Sequence, residues 1–377
     1  VDGSRARIVS LALSSFRNFD RLTLELPAEG LVIIGENGQG KTNLLESAYY
    51  LSLLRSVRGA RDSEVVRFGA DGFFIEARIC APDVHDLSIG FERAGRRKRV
   101  RKDGAVIERL SAALGMLPAV MFSPADVDLV AGAPSARRRF LDIMLALSSR
   151  GYLHSLQQYR AALDRRNAAI REAQRRRGNA PPIDVWEAPL STHGAALVRS
   201  RRVWVKRVME RFAHRCAFIG ESGRVELRYE TTVNANAESV DQALAEALAA
   251  KRDSDLRLGL TQVGPHRDDL AILLDGRALR IFGSAGQQRT AAIALRTLEA
   301  ETLKESRETS PVFLLDDPFA ELDARRAARV LALLREMGIG QTLLAVPRDS
   351  DIPPELTSLP KARVADGRVF SPVGSAA

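Results

Sequence analysis

Sulfur and histidine are scarce in this chain. Its two cysteines, Cys80 and Cys216, lie far apart without CxxC spacing, which argues against a zinc site or a disulfide framework and suits a reduced cytoplasm. The five histidines are scattered, so no histidine-based metal centre is expected. No apolar run approaches the roughly 20 residues that span a bilayer, which excludes a protein built on membrane-spanning helices. The first residues lack the charged-then-apolar pattern of a secretory leader. Internal repeats are missing, and the only biased segments are clusters of arginine.

What the chain does have is length and positive charge. Its 377 residues suffice for two or three domains with a buried core, and 45% hydrophobic with 27% charged residues is an ordinary globular composition. The net charge of +9 points to an acidic partner. That charge is localised: positions 124–223 hold 18 Lys and Arg against 9 Asp and Glu, an excess equal to that of the whole protein.

Period-two alternation marks strands at Ile8 to Leu13 and Leu22 to Leu26, with the loop Phe16-Arg17-Asn18-Phe19 between them. Leu31 to Ile34 is a short apolar run ending in glycine, followed by a helical stretch from Asn43 to Arg55. Strand-like stretches follow at Phe73 to Ile79 and Leu87 to Phe91. Asp103-Gly104 and Asp275-Gly276 suit the positive φ angles of tight hairpin turns. Beyond Pro124 the pattern turns helical. Leu156, Leu163 and Ile170 recur at sevenths, as do Leu190, Leu197 and Trp204, with a Gly/Pro break at 178–182. Two apolar-striped helices so joined are expected to pack as an antiparallel hairpin over about 135–217. The expected architecture is α/β: one head from 1–123 and 256–377, interrupted by an inserted, mainly helical arm at 124–255.

Three segments carry chemistry. Gly35-Glu36-Asn37-Gly38-Gln39-Gly40-Lys41-Thr42 follows an apolar strand and opens a helix. That spacing wraps backbone N–H groups of Gly35, Asn37, Gly38 and Gly40 around phosphates at a helix N-terminus. Lys41 is expected to reach the β- and γ-phosphates of ATP, and the Thr42 hydroxyl to ligate Mg2+. Phe313-Leu314-Leu315-Asp316-Asp317 is a buried strand ending in two carboxylates. Asp316 is placed to hold the Mg2+ and Asp317 to orient or deprotonate water, so Lys41, Asp316 and Asp317 form the candidate catalytic set. Ser284-Ala285-Gly286-Gln287 ahead of a helix at 289–304 is a second anion site. ATPases of the ABC type use such a segment across a dimer, and Glu321-Leu322-Asp323 matches the loop that crosses the same interface. Ser284, Gly286, Gln287 and Asp323 are therefore expected to contact ATP in trans.

On these motifs, the chain resembles the RecF family, the DNA gap-repair members of the SMC-like ABC ATPases, over essentially its full length. Phe16-Arg17-Asn18-Phe19 is similar to the family's early loop, Gly35 to Asn43 to its phosphate loop, and Arg137-Arg138-Arg139-Phe140-Leu141-Asp142 to the start of its arm. Gly264-Pro265-His266-Arg267-Asp268-Asp269-Leu270 is its most specific marker. The resemblance implies an ABC-type head that dimerises around ATP, clamps DNA, turns ATP over slowly and assists recombinase loading at gaps beside RecR and RecO. It also places Arg17, Asn18 and Asn43 near the phosphates, and the protein in the cytoplasm with the nucleoid. The family often carries a Ser or Thr sensing the γ-phosphate after the last core strand. Here the chain reads Gln341-Thr342-Leu343-Leu344-Ala345-Val346-Pro347-Arg348, with neither hydroxyl nor imidazole where that sensor is expected, so Arg348 takes that place, hydrolysis is weak, or the sensor lies a few residues away.

The basic hairpin Arg96, Arg97, Lys98, Arg99 and Arg101, with Arg165, Arg166, Arg175, Arg176, Arg177, Arg201 and Arg202 of the arm, supplies the candidate DNA contacts. Contacts of this kind favour phosphate over sequence. Two other classes fit the nucleotide motifs. The energising subunit of a membrane transporter leaves the basic arm and Gly264 to Leu270 without a place. A non-hydrolysing scaffold, in which ATP only holds a dimer, fits the altered sensor segment.

Overall fold

The structure is a computed structural model describing residues 5–175, 182–233, 239–320, 322–338 and 340–370. Its strands are β1 (Arg7–Phe16), β2 (Phe19–Glu25), β3 (Gly30–Ile34), β4 (Gly72–Cys80), β5 (Val84–Glu92), β6 (Arg97–Lys102), β7 (Ala105–Val106), β8 (Ala119–Phe122), β9 (Val225–Glu230), β10 (Asp269–Leu274), β11 (Arg277–Ala278), β12 (Val312–Asp316), β13 (Thr342–Val346), β14 (Lys361–Ala365) and β15 (Arg368–Phe370). The longer helices are α1 (Lys41–Leu53), α2 (Pro134–Ser148), α3 (Arg150–Arg175), α4 (Glu187–Ile219), α5 (Val240–Ala250), α6 (Ala285–Arg307) and α7 (Ala324–Glu336).

Val1–Asp126 with Leu295–Ala377 form one compact unit, and Val127–Ala294 form the other. The insertion therefore extends past the position 256 read from the sequence. Pairing explains the difference: β10 and β11 join β9 in a three-stranded sheet of the inserted unit, not a sheet of the head. The α6 helix begins in one unit and ends in the other.

The first unit holds two sheets. In one, ordered β15-β14-β3-β13-β12-β8, all neighbours except the β15 edge run parallel. Its strands β3, β8, β12 and β13 are buried throughout, as continuous apolar runs in a parallel sheet are. The other sheet, β2-β1-β4-β5-β6-β7, is antiparallel and alternates buried with exposed residues. Phe16, Tyr50 and Phe73 meet edge to face beneath it and Phe91 stacks on Phe73, with ring centroids 5.5–6.1 Å apart. Gln341 stitches β1 to the start of the parallel sheet. Its amide donates to the Ile8 and Pro27 carbonyls at 2.7 and 2.8 Å and accepts from the Ile8 N–H at 2.7 Å. The turns Asp103-Gly104 and Asp275-Gly276 have both φ angles positive and close two-residue hairpins, and Asp366-Gly367 does the same between β14 and β15.

In the inserted unit, the helical stretch beginning near Ser135 is two helices, because Ser149 is extended (φ −142°, ψ 119°). Leu156, Tyr159, Ala162 and Ile170 of α3, and Leu190, Leu197, Trp204, Val208 and Phe212 of α4, are buried. Positions 166 and 201 fall on the same inner stripes, at helical spacing from Ala162 and Leu197. Arg166 and Arg201 are accordingly buried, at 0% and 2% exposure. Arg166 pairs with Asp255 at 2.6 Å and Glu187 at 3.3 Å. Arg201 pairs with Asp142 at 2.7 Å and donates to the Pro265 carbonyl at 2.7 Å. Both are removed from the candidate DNA contacts, since a guanidinium bound to buried carboxylates cannot also meet a phosphate.

The heptapeptide Gly264 to Leu270 ties this unit together. Asp269 takes a bidentate pair from Arg137, both bonds at 2.8 Å, and Arg138 donates to the Asp268 carbonyl at 2.8 Å. The Asp268 carboxylate accepts from the Tyr229 hydroxyl and from the Thr232 N–H. Gly264 has φ +125°, and a Cβ there would stand 2.4 Å from the Tyr159 hydroxyl. His266 Nδ1 lies 2.6 Å from that hydroxyl and Nε2 lies 3.0 Å from the Thr261 carbonyl, so the neutral ring accepts at Nδ1 and donates at Nε2.

Burial pushes His266 from its usual 6.5 down to about 4. The unfolded chain takes up this proton near pH 6.5 and the folded chain near 4. The contribution is therefore complete above 6.5 and declines as pH falls through that window, by at most about 3 kcal/mol. Thermal unfolding should show the native protein losing more stability between pH 7 and 5 than His266→Asn; equal losses would remove His266 as the cause.

Candidate nucleotide-binding site

The site is built at one edge of the parallel sheet. Ile34 pairs with Val346, and Asp316 with Ala345, so β3, β13 and β12 end together, where open α/β sheets bind ligands. From β3 the chain enters the glycine-rich loop. Gly38 and Gly40 take φ +83° and +118°, angles that only glycine adopts without strain. A Cβ on Gly35 would stand 2.3 Å from the Val364 carbonyl, and one on Gly40 2.6 Å from the Asn18 amide. The loop thus passes too close to its supports for any side chain at either position.

Those supports are specific. Asn18 donates to the Gln39 carbonyl and accepts from the Asn43 amide, each at 2.9 Å. The Asp366-Gly367 turn holds Gln39 from the other side: the Asp366 N–H donates to its side chain and the Gly367 N–H to its carbonyl. Asn18 and Asn43 brace the loop, while Glu36, Asn37 and Gly38 are exposed at its crest.

Lys41 opens α1 and folds its ammonium back onto the Gly35 and Glu36 carbonyls, at 2.5 and 2.9 Å. Burial lowers its pKa, and the nearby Asp316 and Asp317 work the other way. The Thr42 hydroxyl donates to Asp316 Oδ1 at 3.0 Å. Burial raises the Asp316 pKa; the Thr42 hydrogen bond, Arg58 and Lys41 oppose this, and Asp317 adds to it. Asp317 sits at φ +46°, unusual for a residue with a Cβ, and its N–H donates to the Ala345 carbonyl at 2.9 Å. One hydroxyl, two carboxylates and one ammonium therefore share the edge where the loop ends.

Arg17 is bound elsewhere. Its guanidinium makes two bonds, at 3.0 and 2.8 Å, to the fully buried Glu46, which also accepts from Ser56. Sequence reasoning missed Arg58. It donates to Asn43 Oδ1 at 3.4 Å, lies 4.0 Å from Glu46, and its half-exposed charge acts on Asp316. It belongs to no motif, and its only sequence signal is position in the loop after α1. Past β13, Pro347 is half-buried and Arg348 exposed, so the structure adds no hydroxyl or imidazole at 345–348.

The second anion segment lies in the inserted unit. Ser284 caps α6 reciprocally: its N–H donates to the Gln287 side chain at 2.9 Å, and the Gln287 N–H donates to its hydroxyl at 3.3 Å. Ser284 is exposed and Gly286 and Gln287 half-buried, and the preceding Ile281 and Phe282 are 62% and 66% exposed. Asp323 caps α7, accepting from the Arg326 N–H at 2.8 Å; Glu321 lies outside the described residues.

Among the basic candidates, Arg96, Arg97, Arg99, Arg101, Arg165 and Arg175 are exposed and Arg202 is half-buried. Arg176 and Arg177 lie outside the described residues. Lys98 is not a free contact. It pairs with Asp62 at 2.6 Å and donates to the Leu54 carbonyl, because alternation along β6 turns positions 98 and 100 inward.

A phosphate loop, a carboxylate-ended strand of the same parallel sheet and an antiparallel second sheet define an ABC-type P-loop ATPase head. The RecF/RecN/SMC N terminal domain family matches residues 7–346. The DNA replication and repair protein RecF of Lachnoclostridium phytofermentans is 36% identical over 86% of this chain and 89% of its own. That of Chlamydia trachomatis serovar A is 38% identical over 88% and 90%, and that of Ligilactobacillus salivarius 33% over 95% and 96%. The chain belongs to the RecF family. Solved structures of the recombination mediator protein RecF of the RecFOR pathway, with ATPrS and with ATP, are 28% and 27% identical with TM-scores of 0.88 and 0.89, each covering 98% of both chains. An Smc head bound to ScpA, 15% identical with a TM-score of 0.55 over 96% of both chains, shares the fold.

Because Gly40 is held in a left-handed conformation against a pinned Asn18, Gly40→Ala should weaken nucleotide binding at least about tenfold with the fold intact. Calorimetric titration with an ATP analogue checks this, and unchanged affinity would contradict the close approach.

Proposed function

We propose that this protein is an ATP-gated DNA clamp of gap repair, in which two copies close around two ATP molecules. The observation that carries the reading is the Thr42–Asp316 hydrogen bond beside the glycine loop, which brings the two ends of the chain to one phosphate-binding edge. The relatives' RecF names and the ATP complex of a similar chain support it.

The loop N–H groups and Lys41 bind the triphosphate. Thr42 and Asp316 suit Mg2+, a hard cation that takes one or two protein oxygens and completes its shell with phosphate and water. Among the described residues no cluster of three metal-ligating side chains exists, as such a site requires none. The ion would neutralise charge on the phosphates. Asp317 orients water and accepts its proton as the new oxygen–phosphorus bond forms and the γ-phosphorus parts from the bridging oxygen, leaving ADP and phosphate. Ser284, Gly286, Gln287 and Asp323 meet the ATP of the second copy, and the exposed Ile281 and Phe282 give that contact an apolar margin. Arg96, Arg97, Arg99, Arg101, Arg165 and Arg175 take the DNA backbone, with mediators of the RecO and RecR type as protein partners and the nucleoid as the place of action.

If the γ-phosphate links two heads, Lys41→Ala abolishes ATP-dependent dimers, whereas Ser284→Arg retains ATP affinity and blocks pairing. Light scattering with parallel nucleotide titrations reads both. Normal dimers in Lys41→Ala, or lost affinity in Ser284→Arg, would sink the sandwich.

The absence of a hydroxyl at 345–348 favours a second reading, a clamp held by ATP with little turnover. Steady-state phosphate release separates the two. Hydrolysis predicts that Asp317→Asn loses about 100-fold or more; equal inertness of both proteins selects the holding clamp.

A further inference from the structure

The outer face of the antiparallel sheet carries a feature the nucleotide site does not use. Successive pairings β2–β1, β1–β4, β4–β5 and β5–β6 set Arg21, Ser14, Phe74, Gly90 and Arg99 in one row across five strands. Its neighbour Phe73 points inward to the aromatic cluster, and Phe74 points out at 40% exposure. Gly90 leaves the ring room: even a Cβ there would stand 3.5 Å from the Phe74 ring. On one side Phe74 is followed by the exposed Glu76, with the small Ala12 and Ser88 beside it in that row, and on the other Gly72 pairs with Glu92.

Arg21 and Arg99 each lie two strands from Phe74, about 10 Å at strand spacing. Arg97 and Arg101 share the outward side of β6, and none of these four arginines forms an ion pair among the described residues. Glu25, Glu76, Glu92 and the Arg78–Asp86 pair also lie on the sheet, and the positive charge beside Phe74 comes from Arg21 and from β6.

We propose that this row is a binding platform for unpaired nucleic acid, with a base stacked on Phe74 and the flanking phosphates held by Arg21 and Arg99. A duplex hides its base faces and gains nothing from an exposed ring, whereas a single strand offers π-faces and phosphates together. The assignment rests on the DNA-clamp reading for its ligand class and deepens it, because a gap contains both duplex and single strand.

Anisotropy titrations with labelled oligo(dT) and a blunt duplex at one salt concentration, with magnesium and ATP, test it. Phe74→Ala should weaken oligo(dT) binding about tenfold and leave duplex binding within about twofold, while Phe74→Trp retains oligo(dT) affinity. Replacing Arg21 and Arg99 by alanine should reduce the oligo(dT) salt slope by about 0.7 per residue. Oligo(dT) binding indifferent to Phe74→Ala overturns the platform and leaves the face to a protein partner. An equal loss on duplex also overturns it. A native protein that binds neither DNA overturns the clamp reading itself, and is distinguished from failure of the platform alone by its loss of duplex binding.

Discussion

A hydroxyl on Thr42 donating to a carboxylate on Asp316, 274 positions away, is the contact on which the arrangement depends. Neither residue can reach the other unless β3 and β12 lie in one parallel sheet with β13 between them and their C-terminal ends in register. The buried apolar runs enforce that order, and Gln341, wholly enclosed, fixes β1 and Pro27 at the opposite edge. The polar edge is thus positioned by hydrophobic burial and the glycine loop by close packing against Asn18 and Val364. The loop is supported from three sides, by Asn18, by Val364 and by the Asp366-Gly367 turn.

The inserted unit follows a different logic. Its helices are too rich in arginine to pack on apolar stripes alone, and the fold resolves this by giving the inward arginines carboxylate partners. Arg137, Arg166 and Arg201 reach Asp269, Asp255 and Asp142. Breaking one such pair leaves a buried charge, at a cost of about 3–5 kcal/mol. Positive charge therefore divides into a structural set inside and an available set outside. The markers at 137–142 and 264–270, far apart in sequence, are two halves of the same hydrogen-bonded knot.

Much of this was legible in the sequence, where the signal is local. The loop spacing, the Leu315-Asp316-Asp317 strand end, the Asp-Gly turns and the helical stripes all depend on neighbours within a few residues. What was not legible depends on distant partners. Lys98 looks like one of a basic run until Asp62 and Tyr50 are placed beneath it. Arg166 and Arg201 look like surface charge until Asp255 and Asp142 are known. Arg58 carries no motif, and the end of the insertion cannot be seen without the β9–β10 pairing. The Asp366-Gly367 turn carries the same local Asp-Gly signal as its two counterparts.

The most direct test is binding of a gapped duplex at fixed moderate salt, with magnesium and ATP and then without, followed together with molecular mass. Much tighter binding with ATP, accompanied by a shift from monomer to dimer, is the predicted result. Binding indifferent to ATP, with mass unchanged, would contradict a nucleotide-gated clamp and leave the basic surfaces acting alone.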